Sequence, residues 1–112
     1  MVENAMKSFA LAGTHELDDN GDVVTLENGQ IKDFHLISPE ADPERMRVVG
    51  ALAEMLCEQI KKTFGVDRLL VAAQNRDFKL IMFPSKDGFL VWKTNLDLQR
   101  VMAAIDSNRK SL

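Results

Sequence analysis

DPERMRVVGALAEMLCEQIKKTFG, residues 42–65, is the stretch on which the fold turns. Asp42 offers a capping carboxylate, Pro43 fits the first helical position, and Glu44 puts an acid at the positive end of the helix dipole. Val49, Leu52, Leu56, Ile60 and Phe64 fall on one stripe, with Ala53 and Cys57 beside it, and that stripe is expected to face the core. Lys61 and Lys62 suit the negative end of the dipole, and Gly65 is a natural stop. From Pro43 to Phe64 such a helix is about 33 Å long, which is long for so small a domain.

The sheet is expected downstream. Arg68–Gln74, Phe78–Phe83 and Phe89–Thr94 read as three strands, joined by short turns at Asn75-Arg76-Asp77 and Ser85-Lys86-Asp87-Gly88. Leu69-Leu70-Val71-Ala72-Ala73, Leu80-Ile81-Met82-Phe83 and Phe89-Leu90-Val91-Trp92 are nearly continuous apolar runs. A sheet wetted on one face would alternate, so this one is covered on both. Thr94 or Asn95 caps a closing helix with Asp97 in its first turn, and Leu98, Val101, Met102 and Ile105 repeat at helical spacing.

Upstream the pattern is weaker. Val2–Ser8 suits a short helix, Phe9–Leu17 alternates loosely as a strand, and Asp18-Asp19-Asn20-Gly21 reads as a turn. Val23–Leu26 is the returning strand, ended by Asn28-Gly29. Gln30–Ala41 holds Ile31, Phe34, Leu36 and Ile37, so part of it packs, but it shows no period. The expectation is one domain over residues 1–112, an α/β three-layer sandwich in the order α-β-β-α-β-β-β-α. Its five-stranded antiparallel sheet carries the long central helix on one face and the N- and C-terminal helices on the other.

Composition narrows the function. With 46% hydrophobic and 28% charged residues the chain is ordinary globular protein, not a disordered one. No apolar run approaches the roughly 18 residues of a membrane helix, and Met1-Val2-Glu3-Asn4 lacks the basic start of a signal peptide, so a cytoplasmic protein without membrane insertion is expected. Ten acids and two bases lie in residues 1–44 (net −8), and seven acids and twelve bases in residues 45–112 (net +5). The bases are scattered among acids, without Tyr or an RNP-like aromatic pattern, which argues against nucleic acid. A charge-divided surface suits protein recognition, although solvated faces alone produce one too.

The chemistry-bearing residues do not converge. One Cys and two His fall short of a structural zinc set, and Cys57 reads as a small buried hydrophobe. Glu16 to Glu27 nearly meets the spacing of a calcium loop, but it begins on Glu, not Asp, and Asn28-Gly29 forbids an exit helix, so the turn reading prevails. His15 and His35 are too far apart in sequence to be read as a pair, His15 and the adjacent Glu16 would point to opposite faces of a strand, and no GxxxxGK[ST], GxGxxG or nucleophile-elbow pattern occurs. No catalytic residue, metal or cofactor is expected. Trp92 reads as core, or, if it points outward, as an interaction hot spot. Arg45 and Arg47, near the start of the central helix, are candidates for a partner surface or simply a solvated face.

Three elements together carry a resemblance. Leu17-Asp18-Asp19-Asn20-Gly21-Asp22-Val23-Val24 as strand–turn–strand, the long helix, and the closing Lys86-Asp87-Gly88-Phe89-Leu90-Val91 hairpin resemble the roadblock / dynein-light-chain domain, with the best agreement from Met46 to Ile105. The match departs at a clipped first helix and a longer Gln30–Asp42 connection. The resemblance implies a non-catalytic homo- or heterodimer, joined by strand edges and packed central helices, that regulates or scaffolds a small Ras-like GTPase. It implies interface positions at Leu69, Leu70, Val71, Ala72 and Ala73 on the strand and, on the helix, within Val48–Phe64. Two features of the residues agree. An apolar edge strand is an aggregation hazard unless covered, and Val48, Ala51 and Met55, with Leu52 between them, extend the apolar helix surface beyond one stripe. A monomer could instead cover them with Gln30–Ala41. The alternative function is a small-molecule sensor with a ligand between sheet and helix, which needs a polar group in the pocket; on the long helix only Gln59 offers one.

Overall fold

Asp42 starts the central helix as its sequence demands, and everything else is arranged around that helix. The structure is a computed structural model that describes residues 15–110. Its elements are α1 (His15–Asp19), β1 (Gly21–Glu27), β2 (Gln30–His35), α2 (Pro43–Phe64), β3 (Val71–Gln74), β4 (Lys79–Ser85), β5 (Gly88–Thr94) and α3 (Leu98–Lys110). The Asp42 carboxylate accepts the N–H groups of Glu44 and Arg45. Gly65 ends α2 at φ 68°, in the left-handed region, and its N–H donates to the Lys61 carbonyl.

All five strands pair antiparallel in the order β2-β1-β5-β4-β3, so β5 is central and β2 and β3 are the edges. On one face Val24, Leu26, Met82, Phe89 and Val91 pack against Met46, Ala53 and Cys57 of α2. On the other, Val23, Ile81, Phe83, Leu90 and Trp92 pack against Leu17 of α1 and Val101, Ala104 and Ile105 of α3. The continuous apolar runs are thus explained by burial on both faces, and the expected α+β sandwich is the architecture found.

The N-terminal third differs from expectation. His15–Asp19 is helical, so the strand expected over Phe9–Leu17 does not reach its end; Phe9–Thr14 and the short helix expected over Val2–Ser8 lie outside the described residues. Asp18–Gly21 therefore joins a helix to a strand, with the Asn20 N–H on the Leu17 carbonyl, and is no hairpin turn. The fifth strand comes from the segment without a period instead: Gln30–His35 pairs with β1 through the Asn28-Gly29 turn, where Asn28 has φ 55° and Gly29 φ 79°. Positions 6 to 12 of the supposed calcium loop form β1, whose extended backbone cannot wrap a cation.

Both long helices show a rotated or shifted detail. α2 buries Met46, Gly50, Ala53 and Cys57, while Val49, Leu52, Leu56 and Phe64 of the expected core stripe are exposed. In α3, Val101 and Ile105 are buried as expected, but Leu98 and Met102 are exposed. Asp97 itself caps α3, its carboxylate accepting the Arg100 N–H, whereas Thr94 accepts the Leu96 N–H from the preceding loop.

Candidate dimerisation surface

The exposed face of α2 follows from a size rule. Helix and sheet approach so closely at Gly50 that a Cβ there would overlap Val91 Cγ2 and lie 2.8 Å from Leu26 Cδ1. Only small or slender side chains fit beneath, and the row Met46-Gly50-Ala53-Cys57 supplies them. The larger apolar residues are displaced outward: Val48 is 45% exposed, Val49 40%, Leu52 63%, Met55 63% and Leu56 48%. Burying such a side chain from full exposure is worth about 1.5–3 kcal/mol, of which roughly half is still to be gained at each, so five of them form a substantial apolar surface. Ala51 among them is half-buried.

This surface leans toward one edge of the sheet. Val49 lines a groove with Met46 of α2 and Phe78 and Leu80 at the start of β4, and Leu52 and Leu56 follow it at helical spacing on the same flank. Beyond β4 on that side is only β3, the edge strand. Leu69 and Val71 pack toward the α2 face and Leu70 toward the α3 face, an alternation that carries the extended chain back before Val71. Ala72 and Ala73 are exposed. The Asn75 N–H donates to the Phe78 carbonyl, which sets the phase of the β3–β4 ladder. Residues 71 and 73 therefore bond inward to β4, and residues 70, 72 and 74 present N–H and C=O groups to the open edge.

The other expected contact residues are placed differently. Trp92 is fully buried between sheet and α3 and offers nothing to a partner's surface. Arg47 is bound within the chain: it donates to both Glu44 carboxylate oxygens and to the Gly29 carbonyl, tying α2 to the β1–β2 turn. Arg45 remains highly exposed, with a 3.6 Å contact to Asp42. The sequence does not single out Val49 and Leu56 as surface, because their spacing reads as core.

Clefts among the described residues lie elsewhere as well. One, of about 310 Å³ under the C-terminal half of α2, is lined by Cys57, Leu69 and Phe89, with Glu54, Glu58 and Lys61. Burial pushes the Cys57 thiol up and the charge of Glu54 adds to it, so it is a poor nucleophile. Burial also raises the Glu54 carboxyl, helped by the charge of Glu58. Gln59, the polar group expected of a sensor pocket, is exposed and does not line this cleft. A second cleft of about 370 Å³ lies where β1, the β2–α2 connection and the β3–β4 turn meet. There Asp22, 1% exposed, accepts the N–H groups of Ile37 (2.7 Å) and Ser38 (3.0 Å) and anchors the connection into α2. Among the described residues no helix is long and apolar enough to cross a membrane.

Solved structures share this fold, a two-faced antiparallel sheet with one long helix across one side. A Roadblock/LC7 domain from Streptomyces avermitilis superposes with a TM-score of 0.68 at 16% identity, over 88% of this chain and 90% of that one. An MglB structure with a tetrameric arrangement gives 0.70 at 14%, over 94% and 85%. The gliding protein mglB from Thermus thermophilus gives 0.66 at 13%, over 92% and 84%. No protein-family model and no curated protein matches the sequence. The fold is that of the roadblock/LC7 domain.

Proposed function

We propose that this chain is a non-catalytic protein-interaction module that works as a homodimer, joined through the outer face of α2 and the open edge of β3. The reading is carried by two features taken together: an apolar outer face of α2, on which Val49 lines a groove with Phe78 and Leu80 and Leu52 and Leu56 follow at helical spacing, and the open edge strand β3 beyond β4. A second copy covers both at once, which is the self-complementary arrangement a two-fold dimer requires. In the cleft under α2 burial and the charge of Glu54 hold the Cys57 thiol protonated, and in the other cleft Asp22 is engaged by backbone N–H groups, which favours binding over catalysis.

The role of the dimer is the regulation or scaffolding of a small Ras-like GTPase, as resemblance to the roadblock domain implies. Arg45, exposed near the start of α2, is a charged residue through which such a partner could be contacted. The test is molar mass by light scattering over a concentration series, on wild type and Val71→Lys. A dimeric wild type and a monomeric variant support the reading. A wild type that stays monomeric at tens of micromolar contradicts it, and addition of a Ras-like GTPase with GTP then decides whether the same face binds that partner directly.

A further inference from the structure

We propose that the β2 edge of the sheet is closed to strand addition, by the Asp33 carboxylate held on the outward N–H of Phe34 and by a bulge at Lys32. This is the edge opposite β3, and its closure holds whether the chain works as one copy or two. Among the described residues only β1 pairs with β2, so its outer side would otherwise be a free template.

The phase of the hairpin fixes which groups face outward. Asn28 and Gly29 both have positive φ, 55° and 79°, so they form a two-residue turn flanked by the bonded pair Glu27 and Gln30. Leu26 and Ile31 are then a non-bonded pair, which turns the backbone groups of Ile31 away from β1. Thr25 next stands opposite Asp33, leaving Lys32 as the extra residue of a bulge. Val24 and Phe34 follow as a non-bonded pair, so the Phe34 N–H faces outward as well. A plain strand presents outward groups at every second residue. Here Ile31 and Phe34 are three apart in sequence, a spacing that a regular incoming strand does not match.

The outward N–H is also occupied. Phe34 donates it to Asp33 Oδ1 at 2.8 Å. Lys32 Nζ donates to the Asp87 carbonyl, 3.0 Å away in the β4–β5 turn, and ties the bulged residue back to the sheet. The side chains show why closure is needed. Phe34 is 53% exposed and Ile37 55%, and Phe34-His35-Leu36-Ile37 holds no carboxylate or ammonium. Beside a free edge such a segment recruits a second strand. β3, by contrast, pairs with β4 in unbroken register. The two edges are therefore unlike, and in the homodimer proposed above the closed β2 strands at both outer ends stop assembly at two copies.

The test is molar mass by light scattering over one concentration series, with circular dichroism to follow the fold. The proteins are wild type, Asp33→Ala, Asp33→Asn, and Asp33→Ala combined with Phe34→Pro. Asp33→Ala frees the Phe34 N–H and is expected at least to double the wild-type mass. Asp33→Asn loses the same charge but keeps an oxygen for that N–H, and is expected to keep the wild-type mass. Proline at position 34 is tolerated because the N–H it removes faces outward, and it is expected to return the double variant to the wild-type mass. Asp33→Ala at the wild-type mass overturns the closure. Asp33→Asn as heavy as Asp33→Ala means that charge and not the hydrogen bond guards the edge, and overturns the role of the cap. A double variant as heavy as Asp33→Ala puts the new contact elsewhere and overturns β2 as its site. Every comparison is with wild type, so a monomeric wild type defeats the homodimer reading and leaves this one standing or falling on its own.

Discussion

Gly50 of α2 lies directly against Val91 of β5, with no room for a methyl group between helix and sheet. That contact decides which face of the helix is buried, and through it which residues are left for a partner. Gly50→Ala gains up to about 1 kcal/mol of helix propensity and loses about 1–3 kcal/mol to overpacking of two fully buried side chains, Val91 and Leu26. Urea unfolding is expected to show a net loss of about 1 kcal/mol, and Gly50→Leu is expected not to fold stably.

Asp22 gives a prediction with a sign in pH. Its burial alone raises the carboxyl, but the N–H groups of Ser38 and Ile37, the Ser38 hydroxyl and the charge of Lys93 outweigh that and hold it below the ordinary value of 3.8. A depressed carboxyl stabilises the fold above its unfolded value and stops doing so as pH falls through the folded one. Asp22→Ala leaves two N–H groups without their acceptor and is expected to cost about 1–3 kcal/mol at pH 7. The difference from wild type should hold steady above about pH 5 and shrink below about pH 3.8. A difference that grows on acidification contradicts this account of the anchor.

Leu52 separates the helix face from the strand edge. It is 63% exposed in the single chain, so Leu52→Glu costs the isolated domain little. In a dimer the same substitution buries carboxylates against an apolar surface, at a cost of several kcal/mol. Circular dichroism unchanged from wild type, with a molar mass halved at tens of micromolar, is the expected result. A variant that keeps the wild-type mass places the α2 face outside the interface.

How much of this the sequence makes legible depends on whether local chemistry or packing decides. The ends of α2 are legible because Asp42, Pro43 and Gly65 act locally, through a cap, a fixed φ and a positive φ. The buried face of α2 is not, because periodicity finds a stripe of large residues but cannot tell that Gly50 lets the sheet come too close for them. β2 is hidden for a related reason. An edge strand with Lys32, Asp33 and Phe34 all exposed carries neither alternation nor a continuous apolar run. His15–Leu17 reads as strand from an alternation that its helical geometry does not use. Of the candidate interface, the strand residues Leu69–Ala73 are legible because an apolar edge needs covering, whereas Trp92 takes its place in the core only once α3 is seen to lie over it.

Amide hydrogen exchange at the β3 edge tests the central claim most directly. The N–H groups of Leu70 and Ala72 point to the open edge, where an isolated chain leaves them to solvent and a joined sheet bonds them. The account predicts strong, concentration-dependent protection of both amides in wild type, and free exchange in Leu52→Glu. Free exchange of Leu70 and Ala72 in concentrated wild-type protein, beside protected amides at Val71 and Ala73, would contradict it.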